Sequence, residues 1–215
     1  MTIFKPEHLK DVSKFSKSAD QLAIFQRQAP QGADAFMQKL MQISLGIAGK
    51  VHKKNALQDV QNIVHDQIPE TLQVDPFYER WITDMSEVCT IFCETLGCDA
   101  ICFWLGSERG CNRYHIDNVP MRLLVTYAGR GTEWLPEKAA DRSAFANGAP
   151  NEQILIDPSS IQFMNTWDIA VFRGGPEGVL HRTPDAALNQ PSLLMRLDPV
   201  AFWDNILSKK YVNQS

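Results

Sequence analysis

The period of the apolar residues changes once along this 215-residue chain, near residue 98, and that change limits what it can fold into. Before it, apolar side chains recur every three or four positions. Asp75 caps a segment with Pro76 in its first turn, and Phe77, Trp81, Met85, Val88, Phe92 and Leu96 form one stripe that ends at Gly97, which predicts a buried-face helix. Leu57, Val60, Ile63 and Val64 predict a shorter helix closed before Pro69. Phe36, Leu40, Ile43, Ile47 and Val51, with Gly32 ahead of them, predict a long amphipathic one. From Ala100 onward the pattern becomes short runs of β-formers broken by Gly, Pro, Asn or Ser: 101–105, 112–116, 121–127, 153–156, 169–172 and 192–197. Strands without intervening helices predict a sandwich or jelly roll, with the preceding helices covering one sheet. The expected fold class is therefore α+β, a helical region 1–97 packed as one compact unit on a jelly roll spanning 98–215. Residues 136–150 read as a loop placed to lid a cavity mouth.

Three residues of the second half carry a chemistry. In His115-Ile116-Asp117 the outer two share one side of an extended strand, about 6.6 Å apart at Cα, so both can reach one ion while Ile116 faces away. His181, after the turn Gly174-Gly175-Pro176, would complete two nitrogens and one carboxylate oxygen. Such a set suits ferrous iron, because it fixes three positions on one face and leaves the others open; zinc accepts the same donors. His8, His52 and His65 have no second ligand at metal spacing and read as surface or helix-packing residues.

Composition narrows the alternatives. A formal charge of -4 argues against a nucleic-acid or anionic-membrane partner. No apolar run has membrane-spanning length and the first residues lack a signal-peptide core, so a cytoplasmic protein is expected. There Cys89, Cys93, Cys98, Cys102 and Cys111 should be reduced, and their spacings do not match structural zinc knuckles. Cys89 and Cys93 read as core; Cys111 shares strand parity with Arg113 and His115, so it could line the same cavity, although that is the minority reading. Eight of the arginines fall between Arg109 and Arg196, where Lys138 is the lone lysine. Guanidinium forks hold carboxylates at two points and keep their charge when partly buried, so one or two of them inside a cavity would suffice to hold an acidic co-substrate. Glu133, after Gly129 and Gly131, could place a carboxylate at the cavity rim but reads more readily as an exposed turn residue, and Asp168 as a turn residue before its strand. P-loop, G-x-G-x-x-G, G-x-S-x-G and H-E-x-x-H motifs are all missing, which removes support for nucleotide, serine-hydrolase and zincin chemistry.

The His115-x-Asp117 pair, the strand Trp167 to Gly175 and the distal His181 resemble the double-stranded β-helix, a cupin-like jelly roll, of iron(II) and 2-oxoglutarate dependent oxygenases. More narrowly, Cys111 to Asp117, Arg122 to Tyr127 and Gly131 to Pro136 resemble an uncharacterised bacterial family, domain of unknown function 1826, through most of the chain. The first resemblance implies His115, Asp117 and His181 as catalytic metal ligands, Fe(II) as the metal and 2-oxoglutarate as co-substrate. The usual co-substrate cation, about ten residues past the distal histidine, falls here on Pro191. Arg196, Arg122 and Tyr127, with Arg182 beside the histidine, are the alternatives. Leu193, Met195 and Leu197 make one apolar face of the last strand, leaving Ser192, Leu194, Arg196 and Asp198 on the other. The function implied is an oxygenase acting on a small molecule or side chain; a zinc- or iron-handling protein on the same scaffold, or an interaction module that has lost its metal, are the alternatives.

Overall fold

The computed structural model describes residues 2–201; the end of the expected barrel region, 202–215, lies outside the described residues. After a 3-10 helix Leu9–Lys17 come β1 (Leu22–Phe25), α1 (Ala33–Leu40), β2 (Gly46–His52), α2 (Ala56–His65), α3 (Glu70–Gln73) and α4 (Tyr78–Leu96). The second half holds β3 (Ala100–Gly106), β4 (Met121–Ala128), β5 (Glu133–Trp134), α5 (Arg142–Ala146), α6 (Asn151–Ile154), β6 (Gln162–Phe163), β7 (Ile169–Arg173), β8 (His181–Arg182), α7 (Asp185–Asn189) and β9 (Leu193–Pro199). A large antiparallel sheet, ordered β1-β7-β4-β9-β3-β2, faces a small one, β6-β5-β8, giving a mixed α and β jelly-roll fold.

Strand parity assigns the layers. Ile101, Phe103 and Leu105, Leu123 and Val125, Ile169 and Val171, and Leu193, Met195 and Leu197 pack with Trp81, Met85, Val88 and Phe92 of α4 in one core. Each fully buried large side chain stabilises that layer by about 1.5–3 kcal/mol relative to exposure. The opposite parity, Leu22, Leu124, Ala170 and Phe172, meets Trp134, Met164 and Val179 of the small-sheet layer. Helix α4 follows the sequence signals closely. The Asp75 carboxylate accepts the Phe77 N–H at 3.0 Å, and Gly97 ends the helix in the left-handed region at φ 65°.

Three expectations are corrected. The helix expected through Val51 stops at Leu40, and residues 46–52 form strand β2 paired with β3. Ile47 and Val51 are four apart, which fits one face of a helix and one face of a strand equally; Gly46 and Gly49 tip the balance, since glycine weakens a helix. Gly49 also lets the strand lie close to α2, because a Cβ there would lie 2.6 Å from the Ile63 Cδ1 and that side chain would have to shift. With β1 on one edge and β2 on the other, the region expected to be helical supplies both edge strands of the large sheet. Second, 112–116 is no strand; its one sheet-like contact is the bridge between His115 and His181. Third, 153–156 begins as the end of α6, which starts directly after Pro150. Within 136–150, Ala140, Ala144 and Phe145 pack with Tyr114, Leu135, Ile154 and Leu180 in a third cluster, and none of this segment lines the cavity beside His115.

Candidate metal centre

His115 and His181 are held together by backbone. Each donates its N–H to the other's carbonyl, at 3.0 and 3.1 Å, and their rings lie 4.4 Å apart. Asp117 is positioned by the turn that ends β7: Gly175 donates its N–H to the Asp117 carbonyl at 3.2 Å, and Gly174 donates to Pro120 at 3.1 Å. A Cβ at Gly174 would lie 1.9 Å from the Val119 carbonyl oxygen and 2.5 Å from that of Asp117. Gly174→Ala must therefore push the Asp117 segment outward. Displacing the support of a candidate ligand in this way is expected to weaken divalent-metal affinity about 10- to 100-fold, measured by chelator competition; unchanged affinity would show that the segment yields without moving Asp117, or that Asp117 is not a ligand.

One donor atom each from His115, Asp117 and His181 gather within 4.8 Å of one another. The hydrogen bonds fix which nitrogens those are. His115 Nδ1 lies 2.9 Å from the Arg113 carbonyl and His181 Nδ1 lies 2.9 Å from the Val179 carbonyl. A carbonyl only accepts, so both Nδ1 atoms carry hydrogen and both Nε2 atoms keep a lone pair in the neutral rings. Burial, and then the neighbouring His181, push the His115 pKa down, which keeps that ring neutral. His181 Nε2 faces Asp117 Oδ2 across 3.4 Å, and that oxygen is buried without a hydrogen bond of good geometry. Two lone pairs directed at each other need a cation between them, a proton or a metal ion. Burial raises the Asp117 pKa, but His181, Arg122 and His115 outweigh it and hold the carboxyl below its ordinary value.

Arg122 binds the other Asp117 oxygen through Nη1, and its Nε donates to Asp198 at 2.7 Å. Asp198 in turn pairs with Arg196 at 3.1 Å. All four project from the cavity face of the large sheet or the loop beside it. The cavity, about 340 Å³, is bordered by His115, His181, Arg122 and Arg196, with Trp104, Leu124 and Leu194 as apolar wall and Arg109, Cys111 and Thr132 on another side. Its size is in the range of small-molecule sites. Arg196 lies over the Trp104 ring, 5.2 Å from its centroid.

Other sequence candidates fall elsewhere. Tyr127 shares parity with Leu123 and Val125, so it faces α4 in the core, where its hydroxyl donates to Asp84 at 2.8 Å; it is not a cavity residue. Glu133 is buried, not an exposed turn residue: it accepts from Tyr114 Oη and, at 2.8 Å, from Arg182 Nε. That pairing commits Arg182 to the cavity wall. Asp168, before β7, accepts the backbone N–H of Arg27 and of Asn165, both at 3.2 Å. Sequence reasoning passed over Arg109, Asp198 and Trp104. The alternation of β9 had already set Asp198 beside Arg196, and nothing comparable marked the other two.

Among solved structures, the chain is similar to the Fe(II)/α-ketoglutarate-dependent dioxygenase TqaL, at 8% identity and TM-score 0.46 over 88% of this chain and 86% of that one. It is also similar to EvdO2 of Micromonospora carbonacea, complexed with 2-oxoglutarate, at 12% identity and TM-score 0.41 over 92% and 94%. A third is the auxin-oxidation dioxygenase of Arabidopsis thaliana, at 11% identity and TM-score 0.41 over 92% of both chains. None of the curated proteins matches. The family described as protein of unknown function DUF1826 matches residues 6–198, nearly the whole described chain, and the protein belongs to that family.

Proposed function

We propose that the protein is a non-haem iron(II) oxygenase using 2-oxoglutarate, with His115, Asp117 and His181 as the metal ligands and Arg196 as the residue that pins the co-substrate's far carboxylate. The observation that carries this reading is the pair of histidines whose Nδ1–H groups are spent on backbone carbonyls while His181 Nε2 and the buried, unbonded Asp117 Oδ2 face each other beside a cavity. Two imidazoles and one carboxylate with open space alongside suit ferrous iron that must also take ligands from solution. Iron, when bound, supplies the oxidising power for a difficult C–H bond.

The chain's own residues supply position and charge. Arg122 holds one Asp117 oxygen, which turns the other toward the histidines and leaves that carboxylate single-pointed. The same guanidinium uses Nε on Asp198, so its donors serve the protein rather than a ligand. Arg122 is committed to two carboxylates, Asp117 and Asp198; Arg196, which pairs with Asp198 through Nε and lies over Trp104 on the cavity side of β9, is the better of the two for a dicarboxylic acid.

Metal analysis of protein purified without oxygen, followed by titration of 2-oxoglutarate into the iron(II)-loaded form, tests the reading. A weak visible charge-transfer band should grow with 2-oxoglutarate, and Arg196→Ala should weaken its binding about 10- to 150-fold while metal affinity stays unchanged. Zinc as the retained metal, with no 2-oxoglutarate binding by the iron form, would reject the oxygenase and leave a metal-handling protein.

A further inference from the structure

The arginines bordering the cavity differ in how their charge is balanced. Arg122 is paired with Asp117 and Asp198, Arg196 with Asp198, and Arg182 with Glu133 and Asp185. Arg109 makes no ion pair among the described residues. Its Nη1 donates to the Arg130 carbonyl at 3.1 Å and its Nη2 to Thr132 Oγ1 at 3.4 Å, while its Nε is buried without a partner. Burial alone pulls its pKa down to about 10, which still leaves it fully charged at neutral pH. Glu108 stands next to it at the exposed rim and does not pair with it.

A half-buried guanidinium held in place by two neutral oxygens, with its Nε left over, is a cation waiting for an anion. Its position gives that anion a source. Arg196 stands on a central strand of the large sheet, whereas Arg109 belongs to the segment 107–112, whose Glu108, Gly110 and Cys111 are exposed at the cavity mouth. Thr132, which accepts from Arg109, still has its own O–H to donate into the same space.

We propose that Arg109 is a substrate-binding residue that takes a carboxylate on the molecule entering at the cavity mouth, so that the substrate is a small acid with an apolar body lying along Leu124, Leu194 and Trp104. The assignment of this acid as substrate, separate from the co-substrate, rests on the oxygenase reading above; the cation's preference for a carboxylate does not.

The test compares hexanoate with hexanamide, equal in shape and different in charge, by ligand-observed NMR on two forms: iron(II)-loaded, oxygen-free protein holding 2-oxoglutarate, and metal-free protein. Hexanoate should bind about tenfold or more tightly than hexanamide. Arg109→Gln should abolish the difference and leave 2-oxoglutarate affinity within about twofold, and Arg109→Lys, which keeps the charge, should retain part of the preference and control for a folding defect. Equal binding of the two probes by the unmodified protein overturns the proposal, as does a preference that survives Arg109→Gln. Loss of 2-oxoglutarate binding in Arg109→Gln overturns the substrate assignment and gives Arg109 to the co-substrate. If the unmodified protein binds no 2-oxoglutarate, the oxygenase reading has failed, and the metal-free comparison still decides whether Arg109 selects a carboxylate.

Discussion

His181→Ala is expected to lower divalent-metal affinity about 10²- to 10³-fold without unfolding the protein. A structural zinc site gains roughly 10–16 kcal/mol from four ligands, so one ligand contributes about 2.5–4 kcal/mol. The fold should survive because what joins the His181 segment to the rest is not the imidazole. Its N–H and carbonyl bond the backbone of His115, and β8 pairs with β5 through the same backbone. What is lost is a ring packed 4.4 Å from Phe172, a modest cavity in a well-buried layer. His115→Ala should behave alike, with a smaller effect on stability because that ring is only partly buried. Competition against a calibrated chelator gives the affinity, and far-ultraviolet circular dichroism checks the fold. Affinity within threefold of the unmodified protein would mean that the three side chains do not share an ion.

What could be read from the sequence follows from how local its causes are. The α4 stripe, the Asp75 turn and Gly97 all act within one helix, and they fix it to within a few residues. Strands β3, β4, β7 and β9 carry alternation strong enough to be recognised, and that alternation assigned Arg196 and Asp198 to one face. It could not say which face borders the cavity, because that depends on where α4 packs. Residues 46–52 failed for a related reason: with Ile47 and Val51 four apart, only the open edge of β3 and the crowding of Gly49 against Ile63 choose the strand. His115, Asp117 and His181 were legible as a spacing. Their tautomers were not, since those depend on carbonyls of Arg113 and Val179 that only a folded loop brings near. Arg109 could not be told from the other arginines until the positions of all the carboxylates were known.

Asp84→Ala should destabilise the protein by about 3–5 kcal/mol while leaving the metal and ligand affinities unchanged. Asp84 projects from α4 toward the end of the large sheet, where Arg27 reaches it through both terminal nitrogens, one of them at 3.0 Å, and Tyr127 donates to it at 2.8 Å. The Arg27 Nε donates to the Trp167 carbonyl, and the guanidinium carbon lies 5.6 Å from the Trp167 ring. Trp167 itself sits at φ 70°, a left-handed conformation that a bulky residue adopts only when its surroundings enforce it. The side chains of the ion pair are only 16% and 15% exposed, so removing the carboxylate strands a guanidinium that water can barely reach. For a chain of this length the cost corresponds to a fall in Tm of about 10 °C. The double variant Arg27→Leu, Asp84→Leu separates the two explanations of such a loss. If the damage is the stranded charge, removing both partners should recover most of it, because a buried pair replaced by apolar side chains is often close to neutral. If the double variant is as unstable as the sum of its singles, the pair is not coupled, and the conformation of Trp167 must be enforced by packing against Phe77 and Tyr127 instead.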